Sequence, residues 1–531
     1  MLEKYSDWDS THPGFLWGGI FISCFLFAFV IAIGLPYTAP NLAISNESAR
    51  SFISTSNQIQ ATILAIVISL TLLAVEMTAS KYSPRVIEIF KNNVSMWVFL
   101  FSYIISIAIG SIFLTFIDSP NFPISTTTGT LFLLSLGIFL IFMLVPYVLS
   151  TLDFLNTEKI IKRLAGLINI DTINPQTDPF QSIFDVIYGA IKINDFTTMS
   201  TGLLFAEERF KELIEKDPMN RQNDYITFRF FDDIKRCGFL LIEKKEDKYA
   251  FEIITRLYTL SEWAFKEQNT IVLHRSCSAV EEIGTKACEY SLVSVIDHAL
   301  TMLKEIAESI VKVEGLAHDE QVTQKWSCLL FSFIESIGNI GKTTINYDLP
   351  ASSGKAINIL NDLGRNAIDK NLTFEDDFVF KRISAIIVES ISQDKSKLTN
   401  SFIQVLQFLG EYSVSQNRSN EAIWILDELK NIGIFSAHQK KENTIHRVVK
   451  AIRYITVESE KKDIIEIRSK AIYNSAKLQA DYPEFFKDRY KIQLLNSRDY
   501  YPYEDEDLAN AIMIEEHELS DYLHPPDGYE G

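Results

Sequence analysis

Four long stretches without a charged side chain lie within the first 152 residues of this 531-residue chain, at positions 13–46, 51–75, 92–117 and 119–152. A helix that crosses a bilayer needs about 20 predominantly apolar residues, and each stretch contains such a segment. We predict spanning helices over residues 15–35, 58–78, 96–117 and 130–149. A secretory signal peptide is the alternative for the first segment. Its leader is acidic and no small-x-small cleavage site follows it, so we expect an uncleaved span.

The rest of the chain has a different composition. Residues 1–150 carry five basic and seven acidic side chains, whereas residues 151–531 carry 45 and 61, which is −16 of the net charge of −18. The helical pattern continues after the fourth span with no β-rich interval. We therefore predict an all-α protein with a four-helix transmembrane module at 1–152, a membrane-proximal helical linker at 153–215, a cytoplasmic helical-repeat domain at 216–500 and an acidic tail at 501–531.

Several functional classes are excluded or disfavoured by composition. An isoelectric point near 5.0 argues against nucleic-acid binding, which needs concentrated Lys and Arg. The five cysteines are odd in number and form no CxxC pair, so neither a zinc site nor a disulfide framework is predicted. No HExxH, GxSxG or GxGxxG motif occurs, and the sequence predicts no cofactor, no metal and no catalytic residue. An enzyme is the least favoured class.

The basic residues of the short connections predict the orientation of the spans. Three lie between the second and third spans and three follow the fourth, whereas the first connection has only Arg50 and the third has none. Because basic loops stay in the cytoplasm, both the N-terminus and the C-terminal region are expected there, in a multi-pass protein of the cytoplasmic membrane. The six basic residues are Lys81, Arg85, Lys91, Lys159, Lys162 and Arg163.

The second span has a stripe of small and polar residues at heptad spacing, opposite an apolar face. Its members are Thr55, Gln58, Thr62, Ala65, Ser69 and Glu76, interrupted only by Leu72. Such a face either packs against a neighbouring helix or lines water, because lipid disfavours it. Around a symmetry axis it lines a pore, with Glu76 as a ring that favours cations. The alternative for Glu76 is an interfacial carboxylate neutralised by Lys81 or Arg85.

Two motifs carry a resemblance to a known group of proteins. The run from Ser69 through Ser80, followed by Lys81-Tyr82-Ser83-Pro84-Arg85, is similar to the signature S-L-T-L-x-A-x-Q-x-A-S-x-Q-F/Y-S-P-R. That signature belongs to a widespread uncharacterised family of predicted bacterial and archaeal four-span membrane proteins. The segment 190–198 resembles the family's A-L-S-P-x-I-N-D-P-x-T-A motif. The resemblance covers about residues 14–215 and implies a four-span architecture without implying an activity.

These motifs supply two further groups of candidate residues. Ser83, Pro84 and Arg85 are suited to the point where a helix leaves the bilayer, because proline ends the helix and arginine reaches lipid phosphates. Asn194 and Asp195 separate two predicted helices, so the simplest role for them is helix capping. The alternative is that this pair coordinates a cation or contacts the Ser83-Pro84-Arg85 turn.

An apolar-Gly motif recurs in the C-terminal region, at Gly284, Gly338, Gly364, Gly410 and Gly433. Spacings of 72 and 69 residues within this set suggest a two-hairpin unit of about 70 residues, typical of HEAT- or armadillo-like solenoids. The alternative is an irregular helical domain with coincidental glycine spacing. The segment 336–343 resembles a phosphate-binding loop but begins with Ser and lies in the helical register, so no nucleotide site is predicted.

Residues 504–531 contain ten acidic and no basic side chains. We interpret this segment as a solvated tail. The alternatives are that it binds a divalent cation or that it docks onto a basic surface of a neighbouring subunit.

Three functions follow from these observations. The first is a homo-oligomeric, cation-favouring ion channel or pore, lined by span two and gated by the cytoplasmic domain. The second is a membrane-anchored sensory or interaction scaffold without conduction, and the third and weaker is a secondary transporter. The expected partners are the lipid bilayer, further copies of the chain, monovalent or divalent cations and a cytoplasmic protein, with no nucleic acid.

Overall fold

The computed structural model describes Leu26, Val30 and residues 44–81, 94–119, 124–153, 157–168, 178–216, 222–314, 320–370 and 378–486. All regular structure in these ranges is helical, which confirms the predicted all-α class. The chain divides into two compact units, Met1–Ile226 and Thr227–Gly531. Most of the first predicted span, the Ser83-Pro84-Arg85 turn and the acidic tail lie outside the described residues.

The first unit contains six described helices. Three long apolar helices pack on one another: α1 (Asn46–Lys81), α2 (Val94–Phe116) and α3 (Thr126–Asp153). Three shorter ones, α4 (Thr157–Leu167), α5 (Gln181–Lys192) and α6 (Phe196–Lys216), form a second group. By length and composition, the segments Asn46–Met77, Met96–Phe116 and Thr126–Leu144 are long and apolar enough to cross a membrane. They correspond to the second, third and fourth predicted segments.

Helix α1 begins 12 residues before the predicted start of its segment. Its 36 residues correspond to about 54 Å, well beyond the roughly 30 Å of a hydrocarbon core. Near its start, Arg50 forms an ion pair with Asp118, and Asn46 accepts a hydrogen bond from Thr126 Oγ1 at 2.9 Å. These contacts join the start of α1 to the end of α2 and the start of α3, so consecutive helices run in opposite directions.

Two apolar clusters hold α1 to α3 together. One lies near the start of α1 and includes Ile53 and Phe113. The other lies farther along, where Phe99 stacks on Tyr147 with ring centroids 4.3 Å apart and the Tyr147 hydroxyl lies 2.7 Å from Thr71 Oγ1. Only part of α1 is covered by these contacts, since most of its spanning segment is exposed.

Eleven helices, α7 to α17, continue the chain, and from α8 onward each helix contacts the next and the next but one. Odd-numbered and even-numbered helices thus form two rows. Their bounds are α7 (Gln222–Glu243), α8 (Asp247–Lys266), α9 (Thr270–Glu289), α10 (Val293–Glu314), α11 (Glu320–Asn346), α12 (Pro350–Lys370), α13 (Phe378–Ser392), α14 (Ser396–Ser415), α15 (Ser419–His438), α16 (Glu442–Lys461) and α17 (Ile465–Asp481).

Most connections in this array are three residues long and share one backbone geometry. The middle residue is left-handed, with φ between 53° and 59° at eight positions. The third residue donates its backbone N–H to the carbonyl five residues earlier, as Lys441 does to Ser436 O at 2.9 Å. This is the Schellman arrangement that closes a helix. The eight left-handed residues are Lys245, Gln268, Ser291, Asp348, Asp394, Asn417, Lys440 and Asp463.

The left-handed positions reveal a repeat of 23 residues, one helix and one turn. Consecutive described positions lie 23 or 46 residues apart, except that Ser291 and Asp348 are 57 residues apart, which is 11 more than two repeats. We number each repeat from the first residue after a three-residue turn, so that Asp247, Thr270 and Ser396 each occupy position 1. Position 14 is then a buried apolar residue in each of the eleven helices. The members of this position are Cys237, Leu260, Ile283, Ile306, Ile340, Leu363, Ile386, Leu409, Ile432, Ile455 and Leu478. The structural pair is therefore 46 residues, and the predicted unit of about 70 residues was wrong because it joined glycines three helices apart.

Glycine recurs at position 15 because the helices of one row approach closely there. A Cβ on Gly410 would lie 2.3 Å from Ile455 Cδ1, on the next helix of the same row. A Cβ on Gly364 would instead lie 3.4 Å from Leu409 Cδ2 and Val379 Cγ1, an ordinary contact distance. The close helix contact therefore requires glycine at position 410, whereas position 364 has room for a methyl group.

The segment 336–343 lies inside α11, where a phosphate-binding loop cannot form because its backbone N–H groups are used in the helix. Ser336 donates to Glu281 on α9 at 2.6 Å, a contact between helices of one row. The helical register predicted for this segment is therefore confirmed.

Candidate functional site

The polar stripe of α1 faces away from α2 and α3. All six predicted members are exposed, and so is Leu72, at 63%. Helix α1 instead uses another face for packing, through residues such as Ile53, Gln60 and Val67. Packing against a described helix of the same chain, one of the two expectations for the stripe, therefore does not occur.

The hydroxyl groups of the stripe are bonded to their own helix. Thr55, Thr62 and Ser69 each donate to the carbonyl four residues earlier, at 2.9, 2.8 and 2.9 Å. A hydroxyl that donates in this way keeps its oxygen lone pairs directed outward. The stripe thus presents partially negative oxygen atoms, which attract cations more than anions.

The stripe is long enough to cross a bilayer core. From Thr55 to Glu76 it rises through 21 residues, or about 32 Å, close to the roughly 30 Å of hydrocarbon. The Glu76 side chain is exposed at the end of this path. The neutralising partners proposed for it, the Lys81 side chain and Arg85, lie outside the described part of the chain.

Sequence reasoning missed a second polar face, which points into the helix group. Asn57 donates to Ser111 Oγ at 3.3 Å, and Gln60 is only 6% exposed and donates to Ser56 Oγ at 3.4 Å. The Gln60 Oε1 atom is buried and has no hydrogen-bond partner. The predicted stripe was defined by the heptad positions of Thr55 and Thr62, which do not include these residues. A second heptad series, Ile53, Gln60 and Val67, would have identified the packing face.

Asn194 and Asp195 form the helix junction that the capping hypothesis predicts. Asn194 is left-handed, with φ of 61°, and Asp195 donates its N–H to Ala190 O at 2.8 Å, which closes α5. The Asp195 carboxylate accepts from the backbone N–H of Thr198 at 3.2 Å and from its hydroxyl at 2.8 Å, which opens α6. Contact with Ser83, Pro84 or Arg85 involves residues that are not described.

Chemically reactive groups are not assembled elsewhere in the described ranges. No cluster of three or more His, Cys, Asp or Glu residues suited to a metal occurs within them. Burial raises the pKa of the Cys288 thiol to about 12 and also raises that of Cys277, so these thiols are poor nucleophiles.

His298 lies on α10 of the helical array, packed against α8. It stacks on Phe251 with ring centroids 3.4 Å apart and lies 3.0 Å from Thr255 Oγ1. Burial, with a smaller contribution from the nearby charge of Lys355, lowers the pKa of His298 to about 4. It is therefore neutral at physiological pH.

No family model matches the chain, and no curated protein matches it. Two solved structures are similar to parts of it. One is described as a circular tandem repeat protein with novel repeat topology and enhanced subunit contact surfaces. It is 14% identical in sequence, the match covers 90% of this chain and 97% of that chain, and the TM-score is 0.36. The other is described as an engineered protein of a structural genomics consortium. It is 10% identical, the match covers 69% of this chain and 96% of that chain, and the TM-score is 0.18.

Proposed function

We propose that this protein is a homo-oligomeric, cation-favouring pore of the cytoplasmic membrane, in which α1 of each copy lines the path. The observation that carries the proposal is the outward polar face of α1. A single copy would expose six small or polar positions to lipid over about 32 Å, which is unfavourable. Arranging several copies around an axis turns these faces toward water and toward one another.

The proposed selectivity follows from the charges along the path. Outward hydroxyl oxygens of Thr55, Thr62 and Ser69 favour cations along the length of the stripe. A ring of Glu76 carboxylates at its end concentrates cations further, and the positive-inside pattern puts this end in the cytoplasm. The helical array, taken as a HEAT- or armadillo-like solenoid, then acts as a cytoplasmic gating or regulatory domain.

Reconstitution of the full-length protein into planar bilayers tests the pore. We expect unitary currents with a reversal potential shifted toward that of K⁺ in a KCl gradient. Glu76→Gln should reduce the preference for K⁺ over Cl⁻, because it removes the charge and keeps the shape. Leu70→Ala is the control, since Leu70 is 59% exposed on the opposite face of α1.

Bilayers that stay silent across voltage, tension and calcium would overturn the pore. A Glu76→Gln protein with unchanged selectivity would remove the carboxylate ring from the mechanism. The alternative, a non-conducting scaffold whose α1 faces bury one another, predicts that Thr62→Ala and Ser69→Ala weaken oligomerisation in the absence of any current. Size measurements on the same variants distinguish the two functions.

A further inference from the structure

Helix α4 packs against α5 and α6 through an apolar face. A Cβ on Gly202 of α6 would lie 3.6 Å from Ile161 Cδ1, and Arg209 of α6 donates its Nε–H to Ile168 O at 3.0 Å, just after the end of α4. The residues of α4 on this face are at most 7% exposed. They are Ile160, Ile161, Leu164 and Ala165. The apolar face of α4 is therefore already covered within the protein.

The opposite face of α4 is basic. At about 100° per residue, Lys159, Lys162 and Arg163 fall within a sector of about 100°, centred about 180° from the buried residues. Lys162 and Arg163 are exposed and Lys159 is half-buried. The single acidic residue of α4, Glu158, lies outside this sector. We call Lys159, Lys162 and Arg163 the basic face of α4.

The chain holds α4 close to the end of a candidate spanning helix. The candidate span in α3 ends at Leu144, and the helix continues for nine residues, about 14 Å, to Asp153. Helix α4 begins at Thr157, four residues later, so its start lies within about 14 Å of Asp153. With α3 across a bilayer, the polar layer beyond the hydrocarbon core lies in this region. The basic face therefore belongs to a helix next to the headgroups.

The charge of the headgroup layer fits this face. The cytoplasmic leaflet is anionic and attracts Lys and Arg within about 10 Å, the Debye length at about 0.1 M salt. Most of residues 151–531 would be repelled by such a surface, because this region carries a net charge of −16. Surface helices commonly bind by inserting apolar side chains, but those of α4 are buried. A contact made by α4 therefore depends on charge.

We infer that the basic face of α4 docks on anionic lipid headgroups of the membrane that α3 crosses. The helix lies on the headgroup layer without inserting into it, and salt weakens the contact. The inference rests on the proposed function only for the placement of α3 in a membrane. It requires neither conduction nor a particular number of copies.

A fluorophore on Gly166→Cys of the full-length protein reports the contact. A Cβ at Gly166 has no heavy atom within 4 Å, and this position lies in the same sector as the basic face. Replacing Cys24 and Cys328 by Ser leaves only cysteines that are buried. The protein is placed in phosphatidylcholine vesicles that contain a fixed share of nitroxide-headgroup lipid as quencher. Phosphatidylglycerol is the anionic probe.

Quenching should increase as phosphatidylglycerol replaces phosphatidylcholine. It should return to the level of pure phosphatidylcholine at about 1 M KCl, where the Debye length is about 3 Å. Each Lys or Arg near an anionic surface strengthens binding about fivefold, so replacing all three residues of the basic face by Gln should weaken the contact about 100-fold. Glu158→Gln should have the opposite effect and lower the phosphatidylglycerol fraction at half-maximal quenching.

A matched control removes the same number of charges elsewhere. Lys244→Gln, Lys245→Gln and Lys248→Gln together change three exposed lysines at the α7–α8 turn and should leave the response to phosphatidylglycerol as in the wild type. Size and melting temperature confirm that each variant folds.

Equal quenching with and without phosphatidylglycerol overturns the inference. So does a response that survives replacement of the basic face, or one that is lost equally in the control variant. Fluorescence that ignores phosphatidylglycerol but changes on deletion of residues 504–531 assigns the face to the acidic tail and overturns the membrane contact. A lipid response without currents contradicts only the proposed pore, and currents without a lipid response contradict only this inference.

Discussion

Two glycines at the same repeat position should respond in opposite ways to alanine. Alanine gains about 1 kcal/mol of helix propensity over glycine at either site. At Gly364 the new methyl group meets Leu409 and Val379 at 3.4 Å, an ordinary contact, so we expect Gly364→Ala to stabilise its helix by up to about 1 kcal/mol. Gly364→Ala therefore serves as the matched control for the tighter site.

At Gly410 the same methyl group would lie 2.3 Å from Ile455 Cδ1 and 2.9 Å from its Cγ1. Forcing an additional carbon into a packed helix contact costs about 1–3 kcal/mol, which offsets or exceeds the propensity gain. The two variants should therefore differ by about 1–3 kcal/mol in the free energy of opening. Amide hydrogen exchange in α14 and α16 of the full-length protein should differ about fivefold to 150-fold between them.

A second substitution identifies the responsible atom. Ile455→Val removes Cδ1 and alone should cost about 0.5–1.5 kcal/mol. Combined with Gly410→Ala it should cost less than the sum of the two single changes, because the closest overlap is gone. Additive costs, or equal effects of alanine at Gly364 and Gly410, would refute the packing explanation for glycine at this position.

Three further outcomes follow from local contacts. Asp195→Ala removes the cap that bonds Thr198 and should destabilise the first unit by about 1 kcal/mol, seen as a lower melting temperature, whereas Asp195→Asn should retain most of the stability. Because the pKa of His298 is lowered in the folded protein, the unfolded chain binds one proton more than the folded chain between pH 6.5 and 4. The free energy of unfolding should therefore decrease as the pH falls through that window. In His298→Phe, the denaturant midpoint should lose this part of its pH dependence. Lys441→Ala breaks an ion pair of 2.7 Å with the exposed Asp394 and should change stability by less than about 1 kcal/mol in urea unfolding; a larger loss would contradict solvent screening at this turn.

The apolar segments made the long helices predictable, since length and uncharged composition were sufficient. Which side of α1 packs against the other helices was not predictable from the sequence, because α1 has polar residues on more than one side. Thr55 and Gln60 are both polar, yet Thr55 is exposed and Gln60 is buried. Which face meets α2 and α3 depends on tertiary packing that a single helix pattern does not contain.

The helical array illustrates a different limit. Glycine alone was a poor marker of the repeat because position 15 also accommodates Ile387 and Thr456, so a search for glycine omitted those helices. The apolar residue at position 14 never changes character and carries the period throughout. Turn positions such as Asn417 and Asp463 carry it as well, since Asn and Asp tolerate left-handed backbone.

Because α8 to α17 alternate between two rows, the row in which a helix lies depends on whether an odd or an even number of helices precedes it. Removing residues 396–441, two repeats, joins Lys395 to Glu442 through the same kind of turn and leaves every later helix in its original row. Removing 396–418 alone, one repeat, moves every later helix to the opposite row and exchanges the side chains that each face displays. Insertions or deletions of 46 residues can therefore change the length of the array and keep each later helix in its row. A change of 23 residues instead alters which side chains each face of the array exposes.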